Sequence, residues 1–222
     1  MSPKRFADRR AAGRALAARL TRPPGDVVVL GLPRGGVVVA VEVAAALGAP
    51  LDVLLVRKLG LPWQPELAMG AIAAAGDSVE TVRTDAVLLR AGVAPETFAE
   101  VRSQELAELR RRESAYRAGR PALVLTDRAV VLVDDGLATG ATMRAAVVAV
   151  RRERPRTITV AVPVGSPTAV EALTPEVDEL VCLSAPRTFR AVGQVYADFA
   201  ATTDEEVRAA LAVVEPRGPG GC

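Results

Sequence analysis

The sequence predicts an α/β fold built on a doubly wound, mainly parallel sheet. Continuous apolar runs of strand length, of which Ala129–Val133 is the clearest, are typical of parallel strands covered on both faces. These runs alternate with helical patterns along most of the chain, as in folds with parallel sheets. With 222 residues, half of them apolar, one domain over residues 1–215 can bury a substantial core. We expect the Gly/Pro-rich tail at residues 216–222 to be disordered.

The first element is an amphipathic helix predicted over residues 4–20. Its apolar side chains recur near helical spacing, at Phe6, Ala12, Leu16 and Leu20. A Pro-Pro-Gly run then ends it. The other elements follow from the same periodicities. They are a strand at residues 26–30, a helix at 37–47, strands at 51–56 and 67–73, a long charged helix at Pro95–Arg117, the strand Ala129–Val133, a helix at 143–152, the strand Thr157–Val162, a helix after Ser166, the strand Glu179–Cys182 and a helix at Asp204–Val213.

Composition excludes several kinds of chemistry. The chain has no histidine, which excludes Ser-His-Asp hydrolysis, His-ligated metals and imidazole acid–base catalysis. Its cysteines, Cys182 and Cys222, are too few for a zinc site or a disulfide framework. No apolar run reaches transmembrane length and the first residues lack the apolar stretch of a signal peptide. We therefore expect a cytoplasmic protein without a membrane partner.

The net charge is only +2, yet arginines cluster on three predicted helices. Such clusters can bind nucleic acid, but aromatic residues form only 3% of the chain and do not interleave with the basic ones. Solvated helix faces are the favoured interpretation. Lys4 and Lys58 are the only lysines in a chain whose other basic residues are arginines. A lysine at position 58 therefore indicates that a compact ammonium group is needed there.

The most informative segment is residues 131–143, which continues a buried strand. Asp134 and Asp135, the acid pair, follow that strand at the edge where open α/β sheets bind ligands. Small and hydroxyl residues come next and form the anion turn, Ala138, Thr139, Gly140, Ala141 and Thr142. Its glycine permits close backbone approach to an anion, and a helix start supplies free N–H groups. A sugar phosphate would use both ends. The alternative is ordinary turn chemistry for Asp-Asp-Gly.

Residues 130–142 resemble the ribose-5-phosphate loop of the type I phosphoribosyltransferases, enzymes that use phosphoribosyl diphosphate (PRPP). The family pattern is four apolar residues, two acids, two or three variable residues and Thr-Gly-x-Thr, and this sequence matches it throughout. The resemblance implies that Asp134 and Asp135 hold the ribose hydroxyls near the reacting carbon. It also implies that the anion turn binds the 5′-phosphate.

Two further segments resemble the same family. The glycine loop, residues 31–36, resembles its pyrophosphate loop, with Arg34, Gly35 and Gly36 as the anion-binding residues. Arg57 and Lys58 resemble its basic pair, which contacts pyrophosphate, although a solvated strand end is the alternative. The flap segment, residues 60–77, corresponds to a mobile loop that closes over the diphosphate in relatives. Trp63 and Glu66 lie in it, and burial in a hairpin is at least as well favoured for them as catalytic use.

A small hood in relatives holds the nucleobase, and residues 189–203 correspond to it. Phe189, Tyr196 and Phe199 cluster there, with Asp198 between the last two. We predict that Tyr196, Asp198 and Phe199 contact the acceptor. Aromatic residues near a terminus also commonly finish a core, and that alternative stays open.

The function implied is a Mg²⁺-dependent phosphoribosyltransferase of nucleotide metabolism, a homodimer that displaces pyrophosphate from PRPP with a nucleobase nitrogen. Lys58, Arg57, Asp134 and Asp135 are the expected catalytic residues. Mg²⁺ would arrive with PRPP and lie near the acid pair, since the protein alone has too few ligands for it. Ala138 stands where enzymes acting on 6-oxopurines carry an aspartate, which favours adenine- or uracil-type acceptors.

Two alternatives remain at this point. A regulatory protein could bind PRPP in the same pocket without turnover and use a basic face to bind RNA or a partner protein. The retained Lys58 and the long flap segment favour the enzyme, because a sensor needs no closure over a leaving group. An enzyme could also use the same loops on another ribose-phosphate substrate.

Overall fold

The computed structural model describes residues 6–75 and 78–213. Within these residues, seven helices and eight strands follow one another in the order α1 (Arg9–Ala17), β1 (Val27–Gly31), α2 (Gly35–Leu47), β2 (Leu51–Val53), β3 (Leu55–Leu61), β4 (Gln64–Ala75), β5 (Ser78–Arg83), α3 (Asp85–Ala91), α4 (Pro95–Arg117), β6 (Ala129–Val133), α5 (Ala141–Arg152), β7 (Thr157–Val162), α6 (Pro167–Leu173), β8 (Glu179–Cys182) and α7 (Asp204–Val213). Short 3₁₀ helices lie at Thr174–Glu176 and Val192–Val195.

The predicted doubly wound α/β fold is confirmed. Five parallel strands form the main sheet in the order β2-β1-β6-β7-β8. The chain moves outward from β1 to β2 on one side and from β6 through β7 to β8 on the other. The strand order therefore reverses between β1 and β6, and the crevice at their carboxyl ends is where such sheets bind ligands.

Both faces of the main sheet are buried at β1, β2, β6 and β7, as the continuous apolar runs predicted, whereas the edge strand β8 is partly exposed. Alternate residues of β6 belong to different cores, with Val131 and Val133 on one face and Val130 and Leu132 on the other. Helix α2 covers the first face and α5 the second. Among the described helices, none is both long and apolar enough to cross a bilayer.

A second sheet, β3-β4-β5, is antiparallel and contains the described part of the flap segment. The strand predicted at residues 51–56 is wrong as a single element. The chain leaves the main sheet at Leu54, whose amide donates to Gly31 O at 3.1 Å, and Leu55 then pairs with Ala74. Strand β5 and helix α3 were not predicted.

The first helix begins at Arg9 and not at residue 4. Phe6 instead pairs with residues 195–197 of the chain. Its amide donates to Val195 O at 2.6 Å, and its carbonyl accepts from the Ala197 amide at 2.7 Å. Asp8 then caps α1 by accepting from the Ala11 amide at 2.7 Å. The chain start is thus tied to the hood, which brings α1 to the ligand-binding edge. Residues 4 and 5 and the tail at residues 216–222 lie outside the described residues.

Candidate active site

The glycine loop and the acid pair meet at the carboxyl ends of β1 and β6. Leu32 donates its amide to Val133 O at 2.9 Å. A Cβ added to Gly36 would lie 2.8 Å from Asp134 Cα, closer than real Cβ atoms come to backbone. A Cβ on Gly35 would overlap the carboxylate of Asp135. The two loops touch only because both positions are glycine.

Asp134 directly follows β6, and its side chain is part-buried. Its Oδ1 accepts from the Asp135 amide at 2.8 Å. Burial raises the pKa of Asp134 well above its ordinary value, and the neighbouring charge of Asp135 raises it further. A carboxyl group in this state is unfavourable as a free anion, because it is desolvated beside a like charge.

Asp135 is compensated by an arginine that the sequence analysis did not single out. Arg9 donates from Nε to Asp135 Oδ2 at 2.8 Å, with the two side chains only 12% and 16% exposed. Burial raises the pKa of Asp135, and the hydrogen bond from Arg9 opposes that rise. The charge of Arg9 thus favours the anionic form of this carboxylate.

The anion turn lies at the start of α5 and faces solvent, with Gly140 half-buried and its other residues exposed. Gly140 has φ of +81°, a left-handed conformation that favours glycine. Thr139 Oγ1 accepts from the Ala141 amide at 3.4 Å, and Ser166 donates to Ala138 O at 2.6 Å. The first amides of a helix have no partner within it, so the turn presents N–H donors outward. Thr142 adds a hydroxyl in the first turn of α5. This geometry is suited to an anion.

Arg34 stands in the glycine loop, just before α2, and is half-exposed. Its guanidinium lies 3.9 Å from Asp204 Oδ1 at the start of α7. The same Asp204 oxygen accepts from the hydroxyl of the buried Tyr116 at 2.7 Å. This weak ion pair leaves the Arg34 guanidinium available to a stronger anion.

Arg57 and Lys58 lie on β3, in the antiparallel sheet. Arg57 donates from Nε to Glu105 on α4 at 2.6 Å and is part-buried. Lys58 is half-exposed; its ammonium donates to Glu66 O at 3.2 Å and lies 3.7 Å from the carboxylate of Glu66. These contacts all lie within the antiparallel sheet and α4. The structure brings the glycine loop, the acid pair and the anion turn to one edge, and it places this basic pair on the neighbouring sheet.

Trp63 and Glu66 lie in the β3–β4 hairpin, but neither is buried there. The side chain of Glu66 is almost fully exposed, and Trp63 is 61% exposed. The alternative of structural burial in a hairpin is therefore wrong for both residues.

The hood packs directly on the acid pair. Tyr196 is buried and donates from its hydroxyl to Asp135 O at 2.7 Å. Its ring stacks on Phe199 at 5.0 Å between centroids, and the Arg9 guanidinium lies 3.9 Å from the centre of the Phe199 ring. Asp198 is exposed and accepts from the Ala200 amide at 2.9 Å. Tyr196 thus helps to finish a small core with Phe6, while Phe199 keeps 38% of its surface exposed.

The donor set at this edge is compatible with Mg²⁺ that enters with a diphosphate. Carboxylate oxygens are ligands that Mg²⁺ prefers, and phosphates and water commonly complete its shell. Within residues 6–75 and 78–213, no three Asp, Glu, Cys or His side chains gather closely enough to hold a metal. Asp134 and Asp135 would be the nearest protein oxygens.

The main sheet has the order of a doubly wound α/β protein, with the acid pair and the anion turn at its switch point, where proteins of this class bind ligands. The family model described as the phosphoribosyl transferase domain matches residues 7–200, and the chain belongs to this family. The match covers all the candidate site residues.

Similar proteins are named as members of the same family. A Mycobacterium tuberculosis H37Rv protein provisionally named phosphoribosyl transferase Rv0571c is 49% identical over 209 residues, which are 94% of this chain and 46% of that protein. The protein provisionally named phosphoribosyl transferase MT0597, from Mycobacterium tuberculosis strain CDC 1551, matches equally well. The chain therefore spans about half the length of these relatives. The crystal structure of TT1426 from Thermus thermophilus is 47% identical, with a TM-score of 0.78, over 95% of this chain and 99% of that one.

Proposed function

We propose that this protein is a Mg²⁺-dependent phosphoribosyltransferase that transfers the phosphoribosyl group of PRPP to a nucleobase nitrogen. One observation carries the proposal: the glycine loop is seated against Asp134 and Asp135, and the anion turn begins at the same strand end. In this proposal, two anion-binding loops flank a pair of carboxylates that bind the sugar. PRPP has a phosphate at C5′, hydroxyls on the ribose and a diphosphate at C1′, and it would use all three.

In this proposal, the anion turn anchors the 5′-phosphate through the first amides of α5 and the hydroxyl of Thr142. Asp134 and Asp135 accept hydrogen bonds from the ribose hydroxyls and stabilise positive charge that develops on the ribose. The phosphate is remote from the reacting carbon, so its binding energy orients C1′ without taking part in bond making.

The reaction breaks the bond between C1′ and the diphosphate oxygen and forms a bond from C1′ to the acceptor nitrogen. The departing diphosphate takes the electron pair, and the acceptor nitrogen releases its proton to water. Arg34 and the amides at Gly35 and Gly36 are placed to stabilise the leaving group on one side. Lys58, with Arg57 beside it, would do so from the second sheet. Bound Mg²⁺ would supply further positive charge to the diphosphate oxygens.

The hood and residue 138 are the parts of the site proposed to determine which acceptor binds. Ala138 offers no carboxylate for proton exchange with a 6-oxopurine, so we propose an acceptor of the adenine or uracil type. Phe199 and Asp198, both exposed, are the hood groups proposed to meet it, and Tyr196 supports them from beneath. We further propose a cytoplasmic homodimer, and analytical ultracentrifugation tests the dimer.

The second candidate is a PRPP-binding regulator without turnover. The pairing of Arg57 with Glu105 favours it, because a guanidinium held by a glutamate is less available to a leaving group. Such a protein would retain the anion turn and the acid pair and would bind RNA or a protein through its arginine-rich helices.

One experiment separates the two candidates. The protein is incubated with PRPP, Mg²⁺ and each of a panel of nucleobases, and pyrophosphate release is measured. Calorimetry with PRPP and Mg²⁺ runs in parallel. Release with at least one base supports the enzyme. Binding of PRPP without release from any base supports the regulator, and no binding at millimolar PRPP contradicts both.

A further inference from the structure

Arg9 lies where three parts of the candidate site meet. Its Nε donates to Asp135 Oδ2 at 2.8 Å, and a terminal nitrogen donates to Ala200 O at 2.7 Å. Its guanidinium carbon lies 3.9 Å from the centre of the Phe199 ring. A Cβ on Gly35 would come within 2.6 Å of Arg9 Nε, so the glycine loop packs on it too.

Through these contacts, the Arg9 guanidinium joins the acid pair to the hood in one fixed orientation. A guanidinium is planar and donates in fixed directions, so it can bind a carboxylate and a carbonyl while stacking on an aromatic face. The Arg9 side chain is 12% exposed, which keeps water from competing for the pair. Arg9 is fixed in turn by its place at the start of α1, behind the cap formed by Asp8.

Both the main chain and the side chain of Asp135 accept hydrogen bonds from groups associated with the hood. Tyr196 donates to its main-chain oxygen, and Arg9 donates to its carboxylate. Among the described residues, Arg9 is the only cation in a salt bridge with Asp135. Removing Arg9 would leave a part-buried carboxylate without a counter-charge and would free Ala200 and Phe199 together.

We propose that Arg9 is a positioning residue that couples the hood to sugar binding. It orients Asp135 for the ribose hydroxyls and holds the Phe199–Ala200 end of the hood against the same carboxylate. The role of Arg9 in sugar binding rests on the proposed function. Its role in holding the hood concerns the protein without any ligand.

The test compares three variants of the whole chain with the wild type. Arg9→Gln removes the charge. Arg9→Lys keeps a charge near Asp135 but lacks the planar fork that reaches Ala200 and stacks on Phe199. Arg10→Gln is the matched control, since Arg10 is the next residue of α1, is more than half-exposed and pairs with Glu42. Calorimetry measures ribose 5-phosphate and pyrophosphate binding, and hydrogen exchange measures hood protection without ligand.

We expect Arg9→Gln to weaken ribose 5-phosphate binding about 10- to 100-fold, the usual effect of losing a hydrogen bond to a charged group. Pyrophosphate binding, which does not use Asp135, should change little. Amide exchange at residues 197–200 should accelerate. Arg9→Lys should recover part of the ribose 5-phosphate affinity while exchange in the hood stays fast, and Arg10→Gln should match the wild type in every measurement.

The outcomes separate this inference from the proposed function. A wild type that binds neither ribose 5-phosphate nor pyrophosphate contradicts the proposed function, and hood exchange in Arg9→Gln and Arg9→Lys then decides the coupling alone. Unchanged hood exchange in both variants overturns the coupling whatever the ligands do. Equal losses of ribose 5-phosphate and pyrophosphate affinity overturn the positioning role, because a general loss of structure affects both anion sites. If Arg9→Gln does not fold, Arg9→Lys provides the same comparison.

Discussion

The backbone of Gly36 packs against the backbone of Asp134, with no room for a side chain between them. A Cβ at Gly36 would lie 2.8 Å from Asp134 Cα and 2.9 Å from Val133 O. In sequence, Gly35 and Gly36 were assigned to anion binding by resemblance to a pyrophosphate loop. Neither residue is among the glycines with positive φ, so the requirement that the structure shows is close approach of two loops.

Gly36→Ala should therefore impair both stability and anion binding. Inserting a methyl group into a closely packed contact costs about 1–3 kcal/mol. We expect a lower melting temperature and weaker pyrophosphate binding, measured by calorimetry. Gly92→Ala is the control: its φ of +58° strains an alanine by about 1–2 kcal/mol, yet nothing lies within 4 Å of the added Cβ. Equal pyrophosphate affinity in Gly36→Ala and Gly92→Ala would contradict the packing argument.

Asp134→Asn and Asp135→Asn should both abolish most turnover but should differ in stability. Asn at position 134 removes a desolvated charge, so the melting temperature should rise, by about 2–4 °C for each kcal/mol relieved. Asp135→Asn leaves the part-buried Arg9 without its carboxylate, so the melting temperature should fall. Thermal unfolding at pH 7.5 measures both. If both variants are as active as the wild type, the acid pair does not hold the sugar.

The pH dependence of stability gives a sharper form of the Asp134 prediction. Because burial raises the pKa of Asp134 in the folded protein, the folded state retains the proton at pH values where the unfolded state releases it. The protonated group stabilises the fold at acid pH, and this contribution is lost as pH rises from the ordinary value near 3.8 through the raised pKa. The melting temperature of Asp134→Asn should therefore gain on the wild type as pH rises. A constant difference across that range would contradict the role of burial.

Local periodicity was enough to predict most of the main sheet. Helix α4 and strands β6, β7 and β8 begin and end at the predicted residues, because each carries a complete pattern bounded by turn residues. The run at residues 51–56 was misread because apolar character does not say which sheet a residue joins. The break depends on tertiary pairing, because the Leu54 amide still donates to Gly31 O in the main sheet whereas Leu55 pairs with Ala74 in the second sheet.

The candidate site was predictable where its parts are contiguous in sequence. The acid pair, the anion turn and the glycine loop each follow a strand, and parallel strands bring their ends to one edge. Arg9 was missed because its partner Asp135 is 126 residues away. In sequence it is one of several arginines on an amphipathic helix, and no local signal separates a buried guanidinium from a solvated one.

Lys58→Ala should lower turnover while leaving ribose 5-phosphate affinity and stability nearly unchanged. The side chain is half-exposed, so its removal disturbs little packing. Loss of one donor to developing charge costs about 2.7–4 kcal/mol in comparable sites. Arg57→Ala is the comparison, and it should lower the melting temperature because it leaves the part-buried Glu105 unpaired. Steady-state kinetics and calorimetry test this, and equal losses of PRPP and ribose 5-phosphate affinity in Lys58→Ala would remove its leaving-group role.

In the anion turn, Gly140→Val should weaken ribose 5-phosphate binding strongly, whereas Thr142→Ala should weaken it only mildly. A β-branched residue resists the left-handed φ of +81° at Gly140, and distorting the turn misaligns the amides of α5. Thr142→Ala removes one hydroxyl but leaves those amides in place. Free pyrophosphate, assigned to the glycine loop, should bind both variants nearly as it binds the wild type.

Gly119→Val controls for the backbone strain in Gly140→Val. Gly119 has almost the same φ, +84°, and nothing lies within 4 Å of a Cβ added there. Both valine variants should therefore lose stability, but only Gly140→Val should lose ribose 5-phosphate affinity. Calorimetry with ribose 5-phosphate and with pyrophosphate measures the difference. If pyrophosphate binding is lost in Gly140→Val while ribose 5-phosphate binding survives, the two anion loops are assigned the wrong way round, because each ligand carries the group that only its own loop should hold.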